Sequence, residues 1–298
     1  MEFQKFVLEK QAKNEGASIY RVDELNDGCL IVQGGGLIIY NLTESDFWKN
    51  ELRLDLGYIV SYKQLKSGNI VVCSYGGLMA FFDLTGKIVQ AIKSEQSERE
   101  DFVDELSNGK LISMGFYGRM SLYDNIDGTY KKIKSFEKLD NFRVSSIIDL
   151  SNGIIVLRGW DLSTKDYPVI LFDLNNLTYK TIKDNCISVQ LMDNGNLAIF
   201  TKKTVEFFSI AKFKTISVFN IPDNIKVLST CLYDNHTIFL GNDNGEGYEF
   251  VIKDNLLVQV DKFNIKGDFD NNVNQIIKLK NGKVIFVVCS LVYLYKPI

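Results

Sequence analysis

The sequence predicts an all-β fold: a seven-bladed propeller of four-stranded antiparallel blades, in one domain over residues 1–298. Three observations carry this. A turn dipeptide recurs seven times, as Asp27-Gly28, Ser67-Gly68, Asn108-Gly109, Asn152-Gly153, Asn194-Gly195, Asn235-His236 and Asn281-Gly282, at spacings of 40, 41, 44, 42, 41 and 46 residues. An apolar anchor stands three residues before each second member: Leu25, Leu65, Leu106, Leu150, Met192, Tyr233 and Leu279. An aromatic follows 12 to 14 residues after it, further on in the fourth repeat: Tyr40, Phe82, Tyr123, Phe172, Phe208, Phe250 and Tyr295.

Each element of the repeat has a physical reason. Asn-Gly and Asp-Gly suit a type I′ turn, whose two central residues need positive φ. Each pair therefore joins two antiparallel strands. A second break, often glycine-bearing as at Gly76-Gly77 and Gly118, leads to a third strand that ends at the aromatic. A more polar fourth strand follows, such as Lys87–Lys93 or Tyr130–Phe136. Four strands in ~40 residues is the period of a propeller blade. The runs are short, β-branched and aromatic, which argues against helices. NIVVCSY and KVIFVVCS are apolar on both faces, as strands of sheets stacked face to face must be. Val284–Tyr295 reads as a hairpin turning near Cys289-Ser290.

The pattern resembles the WD-repeat propellers, seven times over the whole chain. The turn pair, the strand spacing and the aromatic-Asp endings Phe82-Asp83, Tyr123-Asp124 and Phe172-Asp173 carry the resemblance. Two features of that family are missing. Trp160-Asp161 lies away from a blade end, and no Gly-His dipeptide occurs, so the family's His-centred hydrogen-bond network is not expected. The last repeat stops after its third strand at Ile298. Its fourth strand is expected from Phe3–Glu9, which would cover the bare edge.

Composition narrows the function classes. Hydrophobic residues make up 46% and charged residues 24%, which is ordinary for a globular chain. A net charge of −3 provides no global field for nucleic acid or anionic lipid. Cys29, Cys73, Cys186, Cys231 and Cys289 are scattered and odd in number, so reduced thiols in a cytoplasmic protein are expected. MEFQKFVLEKQAKNEG has no apolar core or cleavage site of a secretory leader. Val284–Tyr295 is too short to span a bilayer, which takes about 20 residues.

Catalytic constellations are not expected. His236 is the single histidine and takes the place of a turn glycine, a site where φ is expected to be positive. Gly34-Gly35-Gly36 precedes a strand and lacks the Gly-Lys-Ser/Thr of a phosphate loop. Asn242–Gly247 lacks the frame of a calcium hand, and the loop with Asp268, Asp270, Asn271 and Asn272 reads as a solvated turn. Lys131, Lys132 and Lys134 read as protection of an outer edge strand. Lys93–Asp101 mixes both signs and reads as a solvated loop. No cofactor and no metal are expected.

One feature stands out. Repeat four carries extra residues between its second and third strands, RGWDLSTKDYP from Arg158 to Pro168. Together with Tyr75, Tyr117 and Arg119 on the equivalent loops, Trp160, Asp161 and Tyr167 form a candidate partner-binding rim. Trp, Tyr and Arg are the residues that dominate binding hot spots. The expected role is a non-catalytic protein–protein scaffold or a subunit of a larger assembly. The alternative is a propeller enzyme or small-ligand binder that uses central-channel carboxylates.

Overall fold

The computed structural model describes residues 5–13, 18–34, 36–40, 52–54, 56–94, 100–115, 118–137, 139, 141–267 and 270–298. Strand β1 is Phe6–Lys13. Blade one holds β2 (Arg21–Glu24), β3 (Leu30–Gln33), β4 (Leu37–Tyr40) and β5 (Leu52–Leu54). Blade two holds β6 (Ile59–Gln64), β7 (Ile70–Ser74), β8 (Leu78–Phe82) and β9 (Ile88–Lys93). Blade three holds β10 (Glu100–Glu105), β11 (Leu111–Gly115), β12 (Arg119–Ile126) and β13 (Thr129–Glu137). Blade four holds β14 (Phe142–Asp149), β15 (Ile154–Asp161), β16 (Val169–Asp173) and β17 (Thr178–Lys183). Blade five holds β18 (Cys186–Leu191), β19 (Leu197–Thr201), β20 (Thr204–Ser209) and β21 (Lys214–Asn220). Blade six holds β22 (Val227–Leu232), β23 (Thr237–Asn242), β24 (Glu246–Lys253) and β25 (Leu256–Asn264). Blade seven holds β26 (Val273–Lys278), β27 (Val284–Val288) and β28 (Leu291–Pro297), and β1 completes it in the order β1-β28-β27-β26. Among the described residues the fold is thus all-β, with seven four-stranded antiparallel sheets.

The N-terminal strand is used as expected but lies later than Phe3–Glu9. Phe6 pairs with Pro297 and Lys13 with Leu291. Its apolar anchor decides the register: Phe6 is 5% exposed and enters a cluster with Phe239, Phe263, Phe286 and Tyr295. Burying a side chain of this size contributes about 2–3 kcal/mol.

Contacts divide the chain into two compact units, Met1–Glu51 with Cys186–Ile298, and Leu52–Asn185. In the first, blades five, six, seven and one succeed one another through β18–β22, β22–β26 and β2–β26 contacts. In the second, β10 packs on β6 and β7, and β14 packs on β10 and β11. The middle strands IVVCS, LISMG and VIFVV are buried at every position. The fourth strands β9 and β17 are largely exposed.

At Asn152-Gly153 both residues have positive φ, as expected, but in five other blades the repeated turn differs from the type I′ form. Gly28, Gly68, Gly109, Gly195 and Gly282 have positive φ, whereas the residue before each does not. Each glycine N–H bonds back to its anchor carbonyl, as from Gly68 to Leu65 at 2.8 Å and from Gly282 to Leu279 at 2.9 Å. This is a three-residue loop, a type I turn closed by a left-handed glycine. The Asn, Asp or Ser before the glycine serves as a side-chain acceptor. Asn108, Asn194 and Asn281 each take the N–H two residues on, at 3.1, 3.0 and 3.0 Å. Two-residue loops with positive φ at both positions occur instead at Asp127-Gly128 and Asp254-Asn255.

His236 does not have positive φ, contrary to expectation. In blade six the capping acceptor has moved upstream: Asp234 Oδ1 takes the N–H groups of His236 and Thr237 at 2.8 and 2.7 Å. A glycine conformation is therefore not needed there. The aromatic-Asp endings are explained the same way in two blades. Asp83 accepts from Thr85 and Lys87, and Asp173 from Asn175 and Asn176, so both hold the turn into the fourth strand. These bonds keep both carboxyls below the ordinary Asp range.

Neighbouring blades are latched at these turns. The acid before the anchor takes the backbone N–H of the residue after the anchor in the preceding blade. Glu105 does this for Lys66 at 2.6 Å, Asp149 for Ser107 at 2.5 Å, and Glu24 for Lys280 at 2.7 Å. Lys280 Nζ also reaches the Leu25 carbonyl at 2.9 Å. Glutamines add a second latch. Gln275 brackets the N–H and carbonyl of Val22, and Gln190 takes the Leu232 N–H and donates to the Thr230 carbonyl. Carboxylate, ammonium and amide side chains thus join blades without a histidine network, and the bonds to the charged groups are charge-assisted.

Candidate functional site

In the Leu52–Asn185 unit the latched turns of blades two, three and four lie side by side, because Lys66 reaches Leu106 and Ser107 while Ser107 reaches Asp149. The opposite ends of the strands form the other rim. It carries the starts of β6, β10 and β14 and the turns from second to third strand.

Blade four dominates this rim. The insertion lengthens a hairpin rather than forming a free loop: Trp160 pairs with Arg143, and Asp161 with Phe142. Gly159 permits this close approach, since a Cβ there would meet the Arg143 carbonyl oxygen at 2.3 Å. Asp161 Oδ1 caps the tip by accepting from Ser163 and Thr164 at 2.8 and 3.3 Å, and its carbonyl takes the Lys165 N–H at 2.8 Å. Asp161 therefore shapes the tip of the insertion.

The side chains on this hairpin face outward. Trp160 is 36% exposed and Tyr167 43%, yet their rings are stacked at 6.2 Å with planes 15° apart. The Arg158 guanidinium lies 5.1 Å from the Tyr167 ring and donates to Ser145 Oγ at 2.8 Å. Two aromatics and one cation are thus held in order at the surface. Preformed stacking reduces the rotamer freedom that binding would otherwise remove.

Blade two supplies a second exposed pair. Tyr75, in the turn after β7, is 59% exposed. It packs edge-to-face on Tyr58 at 6.0 Å, and its N–H donates to the Tyr58 carbonyl at 2.8 Å. Tyr58 is 70% exposed and escaped the sequence reading. Its signal was its place just before a first strand, on the loops that share this rim. Arg119 opens β12 on the blade between, opposite Glu137 and half-buried. Tyr117 lies outside the described residues.

Beneath the rim, blade three starts with buried acids. Glu100 and Asp101, expected in a solvated loop, begin β10 and are 3% and 5% exposed. Tyr123 donates to Glu100 at 3.3 Å, and Lys132 approaches it at 3.9 Å. Burial raises the Glu100 carboxyl, opposed by Ser113, Lys132, Ser121 and Tyr123. Burial also pushes the nearby Cys73 thiol far up, so it is a protonated packing group. The chemistry on this rim is that of aromatic faces and guanidinium groups.

Comparison with known proteins follows from this geometry. No family model matches the chain, and no curated protein matches it. Among solved structures, the chain is similar to the WD40 β-propeller domain of Doa1, with a TM-score of 0.72, 11% identity, and cover of 99% of this chain and 98% of that one. The fold is that of the WD40 propellers. At 11% identity the likeness is one of fold.

Proposed function

We propose that this chain is a non-catalytic, cytosolic protein-interaction propeller that engages a protein partner through the rim bearing Trp160 and Tyr167. The observation that supports it is the stacked, outward Trp160–Tyr167 pair on a hairpin extension that no other repeat carries among the described residues. Folding does not call for large aromatics at such exposed positions. The cytosolic reading rests on five cysteines, odd in number and scattered along the chain.

The test is copurification from cells followed by titration of the recovered partner. Trp160→Ala is expected to weaken binding by about 2 kcal/mol or more while the melting temperature stays put. Unchanged affinity with a lowered melting temperature would assign Trp160 to packing and remove this rim from consideration.

A further inference from the structure

In the unit formed by the two ends of the chain, a buried carboxyl lies where blade six meets blade seven. Glu249, within β24, is 1% exposed. The ladders set it opposite Phe239 and Asp261, and Phe239 opposite Cys231, so these side chains leave one face of the sheet. That face packs on blade seven. Phe239 lies 6.0 Å from Phe286, and Phe6 of β1 lies 5.2 Å from Phe239 and 5.4 Å from Tyr233. The Oε2 atom of Glu249 has no hydrogen-bond partner.

The neighbours do not favour its charge. Asp261 faces it from β25, and Asp234 and Tyr233 from the β22–β23 turn, with Cys231 on β22 and Tyr295 of β28 close to the same acids. The cations here are engaged elsewhere. Lys278 sits over the Tyr233 ring and donates to its carbonyl, Lys283 pairs with Glu9, and Lys262 pairs with Glu246. An ionised Glu249, itself buried, would meet two half-buried carboxylates. Burial, aided by Asp261 and Asp234, pushes its carboxyl up to about 7.

We propose that Glu249 is a pH-sensitive latch on the N-terminal strand: neutral, it lets Phe6 seat β1 on the blade; ionised, it admits water and loosens β1. The strand β1 gives way first because it is an edge strand, held by one ladder to β28 and by the Phe6 anchor. The sign follows from linkage. A carboxyl raised above its ordinary 4.5 contributes stability that is full below pH 4.5 and is lost as pH rises through about 7.

Hydrogen exchange on the full chain tests this, comparing wild type with Glu249→Gln at the same pH so that intrinsic rates cancel. At pH 8 the β1 amides of wild type are expected to exchange at least tenfold faster than those of the variant, and at pH 4.5 within about twofold. The β11 amides, in the other unit, should match at both pH values. Asp261→Asn should move the midpoint of the loosening to lower pH, because one repelling charge is gone. A β1 ratio that does not change with pH overturns the proposal. So does a pH-dependent ratio equally large at β11, which would mean global unfolding. If Glu249→Gln fails to fold, Asp261→Asn decides, and an unmoved midpoint refutes the latch.

Discussion

Glu105 of blade three accepts the backbone N–H of Lys66 of blade two at 2.6 Å, while the Lys66 ammonium reaches over to the Ser107 carbonyl at 2.7 Å. Each residue thus holds the other's turn. Glu105→Ala should lower stability by about 1 kcal/mol. The double variant with Lys66→Ala should cost less than the two single losses added, since both act at one contact. Denaturant titration of the four proteins checks this, and strict additivity would show the two bonds to be independent.

Phe6 anchors β1 against Phe239 and Tyr233. Phe6→Ala should cost about 3 kcal/mol, the usual range for a buried aromatic. Deleting residues 1 to 10 should destabilise at least as much, because β28 would then lose its ladder partner as well. A truncated chain that melts with the full one would show the clasp to be dispensable.

The turn of blade six rests on Asp234, and His236 has no need of glycine. Asp234→Ala should therefore cost about 1 kcal/mol. His236→Gly should cost about 0.5–1 kcal/mol through lost backbone restriction. Gly195→Ala, at φ +78°, should be destabilising for the opposite reason, the strain of a side chain at positive φ. A stabilising His236→Gly would contradict this account of the turn.

Glu246 takes hydrogen bonds from Lys262, Tyr248 and Asn242, which lower its carboxyl to about 2. A depressed pKa contributes stability above pH 4.5 that is lost as pH falls towards 2. Glu246→Gln should flatten this acid limb of the stability profile and leave the neutral limb alone. Melting curves between pH 2 and 5 measure it, and an unchanged acid limb would rule Glu246 out as its source.

Much of the fold was legible because an apolar anchor, stated seven times, and a left-handed glycine, stated six times, are local requirements. The closing strand was legible too, since a blade of three strands needs a fourth, and Phe6 supplies its buried anchor. The kind of turn was not. Asn108-Gly109 signals a reversal, but loop length decides whether Asn108 adopts positive φ or lends its side chain to Lys110. Glu100 and Asp101 were misread for a similar reason. Their run is charged, and only Tyr123, Ser113 and Lys132, which arrive from other strands, make a buried place for Glu100. On the rim, Trp160 and Tyr167 could be picked out as unusual residues in an insertion. That their rings stack, and that Tyr58 joins Tyr75, depends on registers that no dipeptide encodes.

The clasp between β1 and β28 has a mechanical consequence. Phe6 lies opposite Pro297, and the Ile298 N–H bonds to the Lys5 carbonyl, so both ends of the chain leave the same end of one antiparallel pair. A force that draws residues 5 and 298 apart would load the ladder bonds one after another, as in opening a zipper, and not all at once in shear. Tension applied through residues 5 and 298 would therefore peel this pair open at low load.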